Sequence, residues 1–448
     1  SQGDFSNKYH NINYGFKYNS TSDKAYIKNY NYGNFPYLTS QLYLSKVSDA
    51  NYIWAQALKF QGLRSHDSEK TDPLILPTIK TKNIWYLSSG LKFILGTSYT
   101  NFSQETLQYD DAIKGFNMNR VVLDGMLSHH IITDNGHLYK AAAKLKTKFY
   151  NSKFGGATKN SLIIKPEMQL QWSYPVMMNM SPSANYILEP KMKLVSASNK
   201  KVNDTPFGIH IDSPNVELLE DNLFSNSRFN GDDREEVSSR LSYGVNNTIY
   251  NTNYDFASSL FLGQLYRLSG SQQFNYSSGM RGKISDIVGK FKVLYANDHE
   301  LYYRFRKDHK SFNSNLDEIG YWLHNPRFSV NTRFMAIRND ILFANNLQNN
   351  LLSESQKSVL QDRFTRQFSG DIFVKLNDQW TFDASTRLNI SRKISKKNLI
   401  DYNIRVTYIG DCVIMSFKTG HNFTADATRN IQKDKFISVS LKLKTLNW

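Results

Sequence analysis

Residues 211–250 read IDSPNVELLEDNLFSNSRFNGDDREEVSSRLSYGVNNTIY. The stretch begins as a long connection crowded with acidic residues, asparagines and aromatics. It ends in an alternating run, 237–250, that predicts a strand. The same period-2 alternation recurs on both sides of it. Ile12, Tyr14, Phe16 and Tyr18 share a face within 9–18, and Tyr52, Trp54, Leu58 and Phe60 do so within 52–60. Leu91, Phe93, Leu95 and Tyr99 form another row, and Met168, Leu170, Trp172 and Tyr174 a further one within 161–174. A run at 185–197 follows.

Turn chemistry separates these runs. Asp134-Asn135-Gly136 stands between 118–132 and 137–150 and is a strong hairpin signal. Asn297-Asp298 divides 287–296 from 300–306, Asn377-Asp378 divides 368–376 from 380–390, and Gly410-Asp411 divides 402–409 from 413–420. The final run, 436–446, sets Ile437, Val439, Leu441 and Leu443 against Ser438, Ser440, Lys442 and Lys444. Apolar on one side and polar on the other is what a lipid-facing barrel strand requires. On the order of twenty such segments of about 9–14 residues suit tilted membrane-spanning strands. Short turns alternate with long polar connections such as 199–235 and 340–363, the two-sided asymmetry of membrane barrels. The run 348–363 carries some helical spacing and is expected to be a long external loop.

Composition agrees. The 448 residues include 27 Tyr and 28 Phe but one Cys. Mean hydropathy is -0.52. Half of each spanning strand faces water, so a low mean is compatible with life in lipid. No run of about 18 apolar residues exists, which excludes a spanning helix and leaves a barrel open. The sequence therefore predicts an all-β fold, a large antiparallel transmembrane β-barrel of about twenty or more strands. It is expected to form one domain over residues 1–448. No fixed repeat marks a solenoid, and half-polar strands hardly supply the core of a soluble β-rich binding protein.

The net charge of +16 does not point to nucleic acid, because Lys and Arg are spread along the chain and not clustered. Lys140, Lys144, Lys146 and Lys148 fall on one side of a single strand and are expected to face water. An affinity for anionic membrane lipids is the sharper reading of the charge, and a solvated face the plainer one. None of the 10 His lies in a nucleophile or metal motif. His129 and His130 sit in a strand, so they point to opposite faces and cannot share an ion. No catalytic residue, metal site or cofactor is predicted. A lone Cys412 in an oxidising compartment suggests a partner elsewhere.

Several short motifs occur in order: Phe60-Gln-Gly-Leu-Arg64, then PLILP at 73–77, then Tyr186-Ile-Leu-Glu189-Pro190. Next come Asn222-Leu-Phe224, Asn226-Ser-Arg228-Phe229 and Gly231-Asp-Asp233-Arg234-Glu235, followed by Gly263-Gln264-Leu-Tyr266, Ser285-Asp286 and Tyr303-Arg-Phe-Arg306. In this order they resemble the LptD (organic solvent tolerance protein) family of outer-membrane lipopolysaccharide-assembly barrels.

The resemblance implies an outer-membrane translocon that inserts lipopolysaccharide into the outer leaflet through its lumen and a lateral gate between first and last strands. It implies an LptE-like plug lipoprotein in the lumen and a periplasmic Lpt bridge that delivers lipid through an N-terminal jelly-roll. The barrel assembly machinery is the expected inserter. Residues 9–30 resemble material some strands into the family barrel. The chain is therefore expected to be a fragment lacking the periplasmic domain and first strands. On this reading Leu223, Phe224, Arg228, Phe229, Asp233 and Arg234 belong to a lumenal loop touching the plug. Ile437, Val439, Leu441 and Leu443 lie on the gate strand, and Cys412 forms a disulfide with the missing N-terminal region. A passive porin or other substrate-specific channel is the alternative, sharing the strand pattern without the ordered motifs.

Overall fold

A computed structural model describes residues 2–29, 33, 35–64, 67–109, 112–198, 205–214, 216–270, 273–274, 278–338, 364–390, 399–424 and 433–444. Among these residues the architecture is all-β: 22 strands joined in one antiparallel sheet, with a single turn of α-helix at Tyr26–Asn29. In chain order they are β1 (Gln2–Tyr9), β2 (Ile12–Asn19), β3 (Tyr37–Val47), β4 (Asn51–Gly62), β5 (Leu74–Tyr86), β6 (Leu91–Tyr109), β7 (Ala112–Ile132), β8 (Leu138–Phe154), β9 (Ala157–Ser173), β10 (Val176–Ser181) and β11 (Ala184–Ala197). Then follow β12 (Arg240–Asn251), β13 (Phe256–Arg267), β14 (Ile287–Tyr295), β15 (His299–Lys307), β16 (Ser314–His324), β17 (Phe328–Arg338), β18 (Phe364–Lys375), β19 (Trp380–Asn389), β20 (Leu399–Ile409), β21 (Val413–Asn422) and β22 (Asp434–Leu443).

Successive strands pair in an up-and-down meander, with one exception. Both β9 and β10 pair with β11, as two parts of one wall strand. The break falls at Pro175, and Pro190 faces it on β11. Neither proline has an N–H to give the ladder, and only Tyr174 N–H to Pro190 O at 3.2 Å bridges the gap. Counting that pair as one strand puts the connections 10–11, 48–50, 87–90, 133–137, 182–183, 252–255, 296–298, 325–327, 376–379 and 410–412 on one rim. The other rim carries the longer connections 63–73, 198–239 and 268–286. Among the described residues β1 and β22 are not paired with each other.

Faces follow from register, because residues directly opposite in adjacent strands point the same way. One face is an apolar band that includes Phe16, Leu42, Leu123, Leu145, Ile164, Leu170, Phe417 and Val439, all exposed. The other is polar and carries Arg120, Lys146, Lys193, Arg240 and Arg306. This is the wall of a transmembrane barrel, with apolar residues to lipid and polar ones to the lumen. Among the described residues no helix is long and apolar enough to cross a membrane. The strands β6 to β9 have 19, 21, 17 and 17 residues. At about 3.3 Å per residue they are longer than a tilted crossing of a roughly 30 Å hydrocarbon core needs.

Several sequence expectations need correction. The strand expected over 237–250 starts at Arg240. Val237 N–H instead donates to Gln273 Oε1 at 2.8 Å, which ties the residue to a neighbouring connection. The last strand is Asp434–Leu443 instead of 436–446. Tyr52, Trp54, Leu58 and Phe60 share a face as expected, and it is the polar one, opposite Lys82 and Lys80. The stretch 73–77 lies largely inside β5, where Pro77 is accommodated at a register shift. The segment 348–363 lies outside the described residues.

Candidate functional site: a strap across the polar face

The described part of the connection between β11 and β12, residues 205–214 and 216–239, lies along the polar face of the wall. Its charges meet the wall in three places. At the first, Arg120 of β7 binds Asp233 Oδ1 at 2.5 Å and Asp212 Oδ2 at 2.7 Å. Lys146 of β8 binds Asp232 at 2.9 Å and Glu235 at 2.6 Å. Lys148 donates to the Asp232 carbonyl and lies 3.4 Å from Glu235. The carboxylates are also shaped by the strap itself. Asp233 Oδ2 accepts the Ile211 N–H at 2.6 Å, and Asp212 Oδ1 accepts those of Asp232 and Asp233 at 3.0 Å each. Gly231, at φ +81, makes the turn that presents those two amides; a Cβ there would be strained and would strike the Asp212 carbonyl.

At the second place, Lys193 of β11 donates to Phe224 O at 2.8 Å, and Arg240 at the start of β12 donates to Asn226 O. Arg228 and Glu236, both fully buried side chains or nearly so, pair at 2.5 Å within the strap. Arg228 also donates to Leu223 O at 2.8 Å. At the third, Arg306 of β15 binds Glu217 at 2.8 Å, and Arg304 binds Glu220 at 2.8 Å and Asp221 at 3.0 Å. Between these fixings lies an apolar centre of Leu218, Leu223, Phe229, Leu265, Phe274, Met280 and Val288. A second cluster seats Ile209 of the strap on Phe102, Phe116, Met118, Tyr150 and Ile163 of the wall.

The balance of burial and charge favours the ionised form at Asp232, Glu235 and Glu236, whereas burial and the adjacent Asp212 push Asp233 up against the pull of Arg120. Burial pushes the Asp232 carboxyl up, but Lys146 and Arg120 outweigh it and hold it at about 2. Burial likewise raises Glu235 and Glu236. Lys148 and Lys146 bring the first below the usual carboxylate range, and Arg228 and Arg240 the second. Such pairs are costly to break from one side, because the remaining charge is left buried.

The residues singled out from sequence fall as follows. Leu223 and Phe229 are in the apolar centre, with Phe229 stacked on Phe274 at 4.8 Å between centroids. Phe224 is half-buried and meets Phe261 edge-on. Arg234 lies over the Phe229 ring at 4.6 Å. Asp233 is fully buried. Glu189 is on the polar face beside Lys191 at 2.8 Å, whereas Gln264 and Tyr266 point to the opposite face, Gln264 accepting from Tyr243 at 2.6 Å. Gly263 faces the strap. A Cβ there would strike Leu223 Cδ2, so Gly263→Ala is expected to cost about 1–3 kcal/mol by overpacking; denaturant unfolding of the assembled barrel measures it. Ile437, Val439, Leu441 and Leu443 are all exposed on the apolar face of β22. Cys412 is exposed in the turn 410–412, on the rim of short turns.

Sequence reading missed the wall half of the strap. The Lys140–Lys148 row was expected to face water, but Lys146 and Lys148 are buried under strap carboxylates. Arg304 and Arg306 were noted only as motif letters. The available signal was complementarity: acids concentrated in 212–236, and cations spaced two apart on strands.

Among solved structures the chain is similar to the copper transporter OprC, at 9% identity over 98% of this chain and 76% of that one, with a TM-score of 0.46. It is also similar to the ferric enterobactin receptor PfeA in complex with BCV-L6, at 8% identity over 97% and 76%, TM-score 0.48. A third is the siderophore receptor PirA from Pseudomonas aeruginosa, at 8% identity over 92% and 71%, TM-score 0.43. No curated protein matches the chain. The family model for LptD, LPS transport system D, matches residues 1–380. With most of its length matched and an all-β wall that is apolar on one face and polar on the other, the chain belongs to the LptD family, a transport family of integral outer-membrane β-barrels and not an enzyme family.

Proposed function

We propose that this protein inserts lipopolysaccharide into the outer leaflet, passing the headgroup through the lumen and the acyl chains through a lateral seam at β22. The observation that carries this is the match of residues 1–380 to the lipopolysaccharide-transport family, and the geometry is compatible with it. Lipopolysaccharide joins a polyanionic saccharide to several acyl chains. Its transfer needs a polar interior for the sugars and a seam that opens to lipid. Backbone groups in hydrocarbon must be paired, so the seam is the place where pairing is weakest and chain ends meet.

In this reading residues 1–448 act as one barrel domain. The strap closes the lumen below the rim of long connections. Its half-buried Phe224, with the neighbouring loop residues, is the contact for an LptE-like plug lipoprotein. The short-turn rim faces the periplasm, which places Cys412 where a disulfide to an N-terminal periplasmic region can form. That region receives lipid from a periplasmic Lpt bridge, and the barrel assembly machinery inserts the wall. The test is depletion of the full-length protein in cells. Newly made lipopolysaccharide should stop reaching the surface and accumulate inside; undiminished surface delivery would overturn the reading.

A further inference from the structure

The polar face is not evenly neutralised. On β14 to β20 the wall cations have carboxylate partners from neighbouring strands or the strap. Lys292 pairs with Glu300 at 3.1 Å, Arg333 with Glu318 at 4.0 Å, Arg405 with Asp383 at 2.9 Å, and Arg387 with Asp401. On β5 to β8 the upper cations Arg120, Lys146 and Lys148 are satisfied by the strap. Below them, toward the short-turn rim, Lys82, Lys92 and Lys140 point to the same face and have no carboxylate partner among the described residues; Lys92 lies over the Tyr86 ring at 5.3 Å, and Lys80 of the same face is the one near a strap acid, Asp232. The only acid among the strand residues immediately around them is Asp124, which is held by Lys144 at 3.1 Å.

The groups between these lysines leave room. Gly96 lies opposite Lys82, Ser98 opposite Lys80, and Ser128 opposite Lys92; Ala142 lies across from Ser128. His130 lies opposite Lys140. Ile84, Ile94 and Met126 form an apolar row running across the same shelf. From strand rise and spacing, Lys82 and Lys92 are roughly 14 Å apart and Lys92 and Lys140 roughly 12 Å apart along the wall. Cations at that separation, with an apolar row between, suit a sugar carrying more than one anionic group. They suit a single inorganic ion less well. In a low-dielectric wall, unpaired charges of one sign also concentrate counter-ions.

We propose that the polar face of β5 to β8 below the strap is a binding shelf for a multiply phosphorylated or carboxylated saccharide headgroup. Lys82, Lys92 and Lys140 bind the anions, and Ile84, Ile94 and Met126 underlie the sugar. The proposal rests on the transport reading and names the part of the lumen that holds the charged end. It also gives the strap a counterpart: its carboxylates occupy the upper cations of the same wall, and the headgroup occupies the lower ones.

The test uses the full-length protein in detergent and two probes, lipopolysaccharide with its phosphates intact and the same lipid after phosphatase treatment. The wild type should prefer the phosphorylated lipid by about tenfold or more, in a salt-dependent way. Lys82→Gln/Lys92→Gln/Lys140→Gln should abolish that preference while heat-modifiable gel mobility stays that of an assembled barrel. Replacing the same three residues by arginine should keep it. Equal binding of both lipids by the wild type, or a preference retained in the glutamine variant, would overturn the shelf. A photocrosslinker at Ile94 should capture lipid in cells; capture of a lumenal protein there instead would also overturn it. A second crosslinker at Phe436, on the polar face of β22, separates the two levels of the argument. Lipid captured at Phe436 but not at Ile94 sinks the shelf and leaves transport standing, whereas lipid captured at neither sinks both.

Discussion

Arg120→Ala is expected to release the strap from the β7–β8 side of the wall, at a local cost of about 3–5 kcal/mol. Arg120 is buried and holds Asp233, which is fully buried, and Asp212. Without it the two carboxylates are left crowded together with their guanidinium partner gone, although burial and Asp212 already push Asp233 up. The barrel's ladder is untouched, so the effect should be confined to 207–239. Hydrogen exchange should show those amides losing protection while β7 and β8 keep theirs. Cells should become sensitive to large antibiotics that an open lumen admits. The paired replacement Arg120→Met/Asp233→Asn removes both charges and should cost less than Arg120→Ala alone. Unchanged protection of the strap in Arg120→Ala would mean that the apolar centre around Leu223, and not the ion pairs, holds it.

The second large effect concerns β22. Val439 is 68% exposed on the apolar face, midway along the strand and opposite Phe417. A lysine there faces hydrocarbon. Val439→Lys should cost roughly 2–4 kcal/mol if it lies near the midplane, and Leu441→Lys a similar amount. Lys442→Glu lies on the polar face opposite Ile414 and should change stability by less than about 0.5 kcal/mol. Urea unfolding of the protein in bilayers distinguishes the two. Equal effects at 439 and 442 would mean that the faces of β22 are assigned wrongly.

These two sites also show what the sequence made legible. Along β22 the alternation of Ile437, Val439, Leu441 and Leu443 with serines and lysines is enforced by the environment on each side, so the faces can be read directly. Turns such as 133–137 and 376–379 were equally readable, because Asn-Gly and Asn-Asp chemistry is local. The Pro175 break was not anticipated: whether a proline ends a strand or merely interrupts its ladder depends on the partner, here Pro190. The strap was expected to be a lumenal loop, from its density of apolar residues and ion-pair formers, but the wall partners of those charges were not foreseen. Its attachment to Arg120, Lys146, Arg304 and Arg306 joins residues about a hundred positions apart, and no periodicity within a strand encodes such pairing. For the same reason the bare lysines of β5 to β8 became visible only once the strap's carboxylates had been assigned to their neighbours.

In the proposed function lipid leaves the barrel through a seam at β22, and the decisive experiment locks that seam. In the full-length protein a cysteine placed in β22 would be paired by oxidation with one in the strand that closes the barrel against it. With the lock closed, lipopolysaccharide export should stop while the barrel remains assembled and in the outer membrane, and reduction should restore export. Export that continues with the seam covalently closed would contradict the account, and a passive channel would then describe this barrel better.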